Sequence, residues 1–191
     1  MTALVAVRAT QAIDPAATRA LQSVASWPLD VLANANTLIG QASVTLAIAA
    51  VLTFAAWRRG PPLGWLAAGL FVLVGAAGVA LKVGLDHPAP PEELHRAFWD
   101  PLSVPVSTPS SFPSGHVARV TFLAFFATAL AGTGRLAVAL VVLVAYTLWA
   151  RVYLGEHWLS DAVGGLALGI AAGGIAAMWI ERCRARDVRG S

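Results

Sequence analysis

Residues 37 to 57 and 63 to 81 pass without a single charged side chain. In hydrocarbon every backbone N–H and C=O must be paired within its own segment. An uncharged run of about 20 residues is therefore committed to a membrane-crossing helix. Three further runs, 115 to 131, 136 to 152 and 158 to 180, are nearly as apolar. Over the whole chain only 12% of residues are charged, against about 25% in water-soluble domains. The expectation is an all-α integral membrane protein with five transmembrane helices in a bundle. Its 191 residues would make one membrane-embedded domain, with no room for a separate soluble one.

Upstream, Ile13, Ala17, Leu21 and Val24 recur at helical spacing with Asp14 and Arg19 between them, so residues 14 to 27 predict an amphipathic helix on the membrane surface. Pro28 should end it, and residues 1 to 36 then form an interfacial N-terminal segment. The opening "MTALVAVRATQA" is too short an apolar run for a signal-peptide core. Residues 82 to 113 form a long polar loop, and 181 to 191 a basic tail. Five crossings put "WRRGPP", "GTGR" and "ERCRARDVRGS" on one side, with seven of the thirteen basic residues and two of the ten acids. That side is expected to be cytoplasmic, which leaves the N-terminus, the 82 to 113 loop and the turn "RVYLGEH" facing outward.

A formal charge of +3 is too small to argue for nucleic acid. Cys183 has no partner for a disulfide and is given no role. Gly165, Gly169 and Gly173 suggest close helix contact, either within the bundle or in a homo-oligomer.

Three outward patches carry chemistry: "KVGLDHPAP", "FPSGH" and "ARVYLGEHWLSD". Singly, Lys82 and Arg151 fit cations snorkelling to the interface, and His116 fits a helix-start histidine bonded to a carbonyl. Gathered at one face, two histidines, a carboxylate and several cations point to an anion. His157 and Asp161 are four apart on one helix face. Asp161 can hold one ring nitrogen, which leaves the other free to attack and stabilises charge on the ring. Ser114 and Gly115 at a helix start expose N–H groups to an anion. His116 is placed to protonate a leaving oxygen, and Lys82 and Arg151 to neutralise phosphate oxygens.

"PSGH" followed by Arg151, His157 and Asp161 in the spacing Arg-x5-His-x3-Asp resembles the type 2 phosphatidic acid phosphatase and vanadium haloperoxidase superfamily. The resemblance implies metal-independent, cofactor-free hydrolysis of a phosphate ester or anhydride. It makes His157 the nucleophile that becomes phosphorylated, Asp161 its orienter and His116 the acid. Lys82, Ser114, Gly115 and Arg151 would bind the phosphate. Two positions depart from the pattern: Ala150 stands where serine is usual, and Ala89 where the first motif, Lys-x6-Arg-Pro, has arginine. Arg119, one turn beyond His116, can lean back toward the phosphate and replace that arginine; alternatively it pairs with an acid such as Glu156 and secures the bundle. An arginine after Pro-Ser-Gly-His also resembles members acting on polyprenyl diphosphates.

The expected partner is thus a lipid phosphate in the bilayer. A polyprenyl diphosphate of envelope recycling comes first, and phosphatidic acid or phosphatidylglycerol phosphate is the alternative. The alanine- and arginine-rich composition suggests a bacterial source. A catalytically silent lipid-binding protein and a transporter are readings from other classes; polar groups gathered at one face rather than at the midplane speak against the transporter. His87 and His95 read as solvated loop residues, with His87 also near the absent arginine. A zinc site from His87, His95 and Glu92 or Glu93 fits no known ligand spacing.

Overall fold

The computed structural model describes residue 10 and residues 12–99 and 110–190, with side chains to residue 185. The opening apolar run, the middle of the 82 to 113 loop and the end of the tail lie outside the described residues. Among the described residues seven α-helices carry the fold: α1 Ile13–Gln22, α2 Trp27–Gly40, α3 Ala42–Trp57, α4 Pro61–Gly84, α5 Gly115–Ala131, α6 Gly134–Tyr153 and α7 Leu159–Gly190. One 3₁₀ turn, Glu92–Leu94, interrupts the loop after α4.

Helices α4, α6 and α7 are long and apolar enough to cross a membrane, and α2 with α3 makes a fourth candidate bent by 51°. The uncharged run from 37 to 57 is therefore not one straight span. Gln41 between the two halves is extended, at φ −61° and ψ 149°. Its carbonyl still accepts from the Thr45 N–H at 2.9 Å and the Thr45 hydroxyl at 2.7 Å, so α3 starts with its first turn closed. The Gly40 carbonyl, released by the break, accepts Nη2 of Arg119 at 2.7 Å.

The N-terminal segment differs from its expectation. Helix α1 stops at Gln22, and Pro28 does not terminate a helix but sits in the first turn of α2, where its missing N–H is harmless. The face turned inward is polar: Asp14 is 2% exposed while Ile13 is 59% exposed. Gln22 fixes the end of α1 by donating to the carbonyls of Leu94 and Tyr153, both at 2.8 Å.

Helices α5 and α7 pack along the glycine stripe. A Cβ on Gly165, Gly169 or Gly173 would run into Ser114 and Ala118, into Thr121, or into Phe125. Those glycines are thus used inside the chain rather than on an outer face. Phe122, Phe126 and Leu130 of α5 meet Leu70 and Val74 of α4 and Ala176 and Ile180 of α7 in the main core. The outer faces of α4 and α6, with Trp65, Val72, Val138 and Val141, are exposed apolar surface suited to lipid. At the C-terminal end of α5, Gly132 adopts the left-handed conformation (φ 69°) that ends the helix. Both Arg59 and Arg184 donate to the Leu130 carbonyl there, cations where the helix dipole is negative.

Candidate active site

The opposite end of α5 holds the polar cluster. Ser114, its N-cap, donates its backbone N–H to the Asp161 carbonyl at 2.9 Å, which docks "PSGH" directly on the start of α7. The first N–H groups of α5 have no partners within the helix and present a positive dipole end. The buried Ser114 Oγ and His116 Nε2 meet no hydrogen-bond partner among the described residues. Two buried polar atoms in that condition, both from the first turn, fit a polar ligand received at the helix start.

Asp161, fully buried, holds two groups with one oxygen: Oδ2 lies 3.2 Å from Nδ1 of His157 and accepts the Trp158 N–H at 2.9 Å. The other nitrogen of the His157 ring is thereby left as the acceptor. Burial holds the His157 imidazole below its ordinary value; hydrogen bonding to Asp161 opposes this, and the positive field of Arg151 and Lys82 reinforces it. His157 is therefore neutral near pH 7, the state that can attack.

Arg151, in the last turn of α6, is buried, pairs with Glu156 and donates Nη1 to the Thr37 hydroxyl at 3.1 Å. Glu156 is thus the partner of Arg151 and not of Arg119. Lys82, in the last turn of α4, donates to the carbonyls of Ser111 (2.7 Å) and Ser110 (3.3 Å), tying the loop to the bundle. Arg119 donates Nε to the Thr45 hydroxyl at 3.0 Å as well as Nη2 to Gly40. Its Nη1 lies against Gly115, where a Cβ would come within 2.9 Å of it. Lys82, Gly115 and Arg119 together close the polar end of a groove walled by Val74, Gly78 and Val79. His116 lies within electrostatic reach of Arg151, Arg119 and His157, as Lys82 does of Asp161 and Arg119. All eight residues singled out in the sequence therefore gather at one end of the bundle.

Two side chains beside the cluster differ from their sequence reading. His87 is 5% exposed rather than solvated, and its Nε2 lies 3.2 Å from the second oxygen of Asp161. Asp14 accepts from both the N–H and the hydroxyl of Ser160, at 2.9 and 2.7 Å. The polar pattern of α1 was visible, but nothing in it told of a partner 146 positions away. His95 turns aside, with Nε2 3.1 Å from the Pro90 carbonyl. Among the described residues no three His, Cys, Asp or Glu side chains gather as metal ligands, so the zinc grouping does not assemble.

Residues 62–185 match the sequence pattern of the PAP2 superfamily. The chain is 45% identical over 62 residues to a protein of Escherichia coli K12 named "Putative undecaprenyl-diphosphatase YbjG", and the match spans 31% of this chain and 30% of that protein. Two crystal structures share the fold. A transmembrane PAP2-type phosphatidylglycerolphosphate phosphatase from Bacillus subtilis superposes with a TM-score of 0.75 at 22% identity, covering 94% of this chain and 92% of its own. LpxE of Aquifex aeolicus superposes with a TM-score of 0.69 at 19% identity, covering 86% and 94%. With the family pattern extending over most of its length, the chain belongs to the PAP2 superfamily.

Proposed function

We propose that the chain hydrolyses a lipid phosphate without a metal, through a phosphohistidine at His157, and that its substrate is a polyprenyl diphosphate. The observation that carries this reading is the His157–Asp161 pair set beside the start of α5, where Ser114 Oγ and His116 Nε2 have no hydrogen-bond partner among the described residues. In the forward step His157 Nε2 attacks phosphorus, the bond to the leaving oxygen breaks, and His116 gives that oxygen a proton. Water then attacks the phosphohistidine, His116 takes back a proton, and inorganic phosphate leaves with the His157 ring restored. Lys82, Arg151, Ser114, Gly115 and the free edge of Arg119 hold the non-bridging oxygens, where fixed donors are most effective against developing charge.

Substrate class is supported from two directions. The apolar walls of Val74, Gly78 and Val79 below Lys82 and Arg119 suit a chain hanging from a charged head. The short but close match to YbjG favours a diphosphate; the Bacillus subtilis relative keeps phosphatidylglycerol phosphate as the alternative.

Five crossings follow if the bent α2–α3 pair and α5 both count as spans. At 17 residues α5 is about 26 Å long, shorter than the roughly 30 Å hydrocarbon layer. The site at its start would then lie a little below the headgroups, where a lipid arrives sideways. Arg58, Arg59, Arg135 and Arg184 mark the other end, so the positive-inside rule turns the site outward, with α1 at the outer interface.

The test is phosphate release by purified protein in detergent with EDTA, offered undecaprenyl diphosphate, phosphatidylglycerol phosphate and phosphatidic acid. Release should be fastest from the first, vanish in His157→Ala, and pass through an acid-labile phosphoenzyme. Release from none of them, or near-parental turnover by His157→Ala, would overturn the reading.

A further inference from the structure

We infer that His87 is a positioning residue that locks the Asp161 carboxylate, and that Asp14 of α1 aims it through Ser160. This rests on the reading of Asp161 as the orienter of a nucleophilic His157. Asp161 has two oxygens, and Oδ2 already serves His157 and Trp158. A carboxylate held by one oxygen can still rotate about its last bond, carrying the His157 ring with it. The second oxygen is met by Nε2 of His87 at 3.2 Å, close enough for attraction although off the axis of a good hydrogen bond.

Which atom carries the proton follows from the neighbours. Ser160 Oγ, the only hydrogen-bonding side-chain atom of that residue, donates its single proton to Asp14 Oδ2 at 2.7 Å. It can therefore only accept from His87 Nε2, which lies 3.2 Å away. Asp161 Oδ1 is likewise an acceptor, and Asp14 Oδ2 stands 4.0 Å off as a second carboxylate. All three demand a proton on Nε2, so the tautomer is set by its surroundings. Backbone contacts hold the ring in place. The Ser111 N–H and hydroxyl both donate to the His87 carbonyl, at 2.9 and 3.1 Å, the Phe112 ring meets the imidazole edge-on, and Trp158 Nε1 donates to the Pro88 carbonyl at 2.8 Å. Among the described residues the hydrogen bonds and ion pairs of His87 go to Ser111, Ser160, Asp14 and Asp161 and to no residue proposed to bind phosphate, so its effect should fall on the rate of attack and not on substrate binding.

The experiment compares His87→Leu, which has no donor, with His87→Gln, whose amide nitrogen can occupy the Nε2 position. Both are assayed in the full chain in detergent on the phosphate ester the parent turns over best. Parallel long-range ¹H–¹⁵N spectra read the His157 tautomer without any need for turnover. The expected result is a fall in kcat of about 10- to 100-fold for His87→Leu, the range typical of lost outer-shell orientation. KM should stay within about twofold, most of kcat should return in His87→Gln, and His157 should change from a single Nδ1–H tautomer to a mixture only in His87→Leu. Asp14→Asn should lower kcat in the same sense by a smaller factor. Equal kcat for the Leu and Gln variants, a change confined to KM, or an unaltered His157 tautomer in His87→Leu would each overturn the inference. Should His87→Leu fail to fold, His87→Asn, whose amide reaches only the Nδ1 position, takes its place, and kcat equal to that of His87→Gln overturns it. A parent that releases no phosphate defeats the proposed function instead, and the tautomer spectra still decide the role of His87.

Discussion

A methyl group at residue 40 should disable His116 from the far side of the bundle. An alanine Cβ there would stand 2.8 Å from the Cβ and Cγ of His116, with the ring Cδ2 nearer still, whereas ordinary contact begins at 3.4 Å. The imidazole must therefore retreat by about 1 Å, set by Cδ2, or α2 must shift. A misplacement of about 1 Å can cost a hundredfold in rate, and a forced core contact costs about 1–3 kcal/mol, offset by the roughly 0.5–1 kcal/mol that alanine contributes over glycine in a helix. Gly40→Ala should thus lower kcat by about 10- to 100-fold while unfolding energy falls by no more than about 2.5 kcal/mol. Phosphate release together with thermal unfolding in detergent measures both. Gly69→Ala is the control, since a Cβ there meets nothing within 4 Å and the residue lies outside the groove. In a His116→Ala background Gly40→Ala should add little. Full activity in Gly40→Ala, or an equal loss added to His116→Ala, would refute the reasoning.

Arg119→Ala should reduce kcat/KM by about a hundredfold if Nη1 serves the phosphate. It should also lower the unfolding temperature, because two charge-assisted bonds to Gly40 and Thr45, about 1.5–3 kcal/mol each, are lost; unchanged stability would contradict those contacts. The acid limb of kcat/KM should lie below the ordinary histidine value of about 6.5, because burial lowers His157. Asp161→Asn, which removes the opposing pull, should move it further down, and a limb above 6.5 would contradict the assignment. By the same linkage, the unfolded chain binds the His157 proton first, so this contribution to stability is present above pH 6.5 and fades as the pH falls. A cysteine at Glu93, in a background lacking Cys183, should react with an impermeant thiol reagent in intact cells; labelling only after lysis would reverse the orientation.

The apolar runs and the motif residues were legible because both are local signals. Charge is costly in hydrocarbon wherever it falls; His157 and Asp161, read as one helix face, in fact meet across the bend that precedes α7, because the helix starts only at Leu159, but their spacing of four still brings them together. What was lost lay between segments. An uncharged stretch looks the same whether it is straight or broken at Gln41, because the break is stabilised by Arg119 from another helix. Glu156 is nearer in sequence to Arg151 than to Arg119, yet sequence alone left its choice of cation open. His87 looked like a loop histidine because the carboxylates that enclose it come from α1 and α7.

The bend between α2 and α3 bears on where the working unit of this protein begins. The superfamily pattern starts at residue 62, and every motif residue lies after it. Thr37 on Arg151, Gly40 against His116 and Thr45 on Arg119 all lie before it. A shortened protein made to the family boundary would keep a full complement of signature residues and lose the wall against which two of them, and Arg119 beside them, are set. Grafting or trimming such an enzyme by its motifs alone would preserve its vocabulary and discard its grammar.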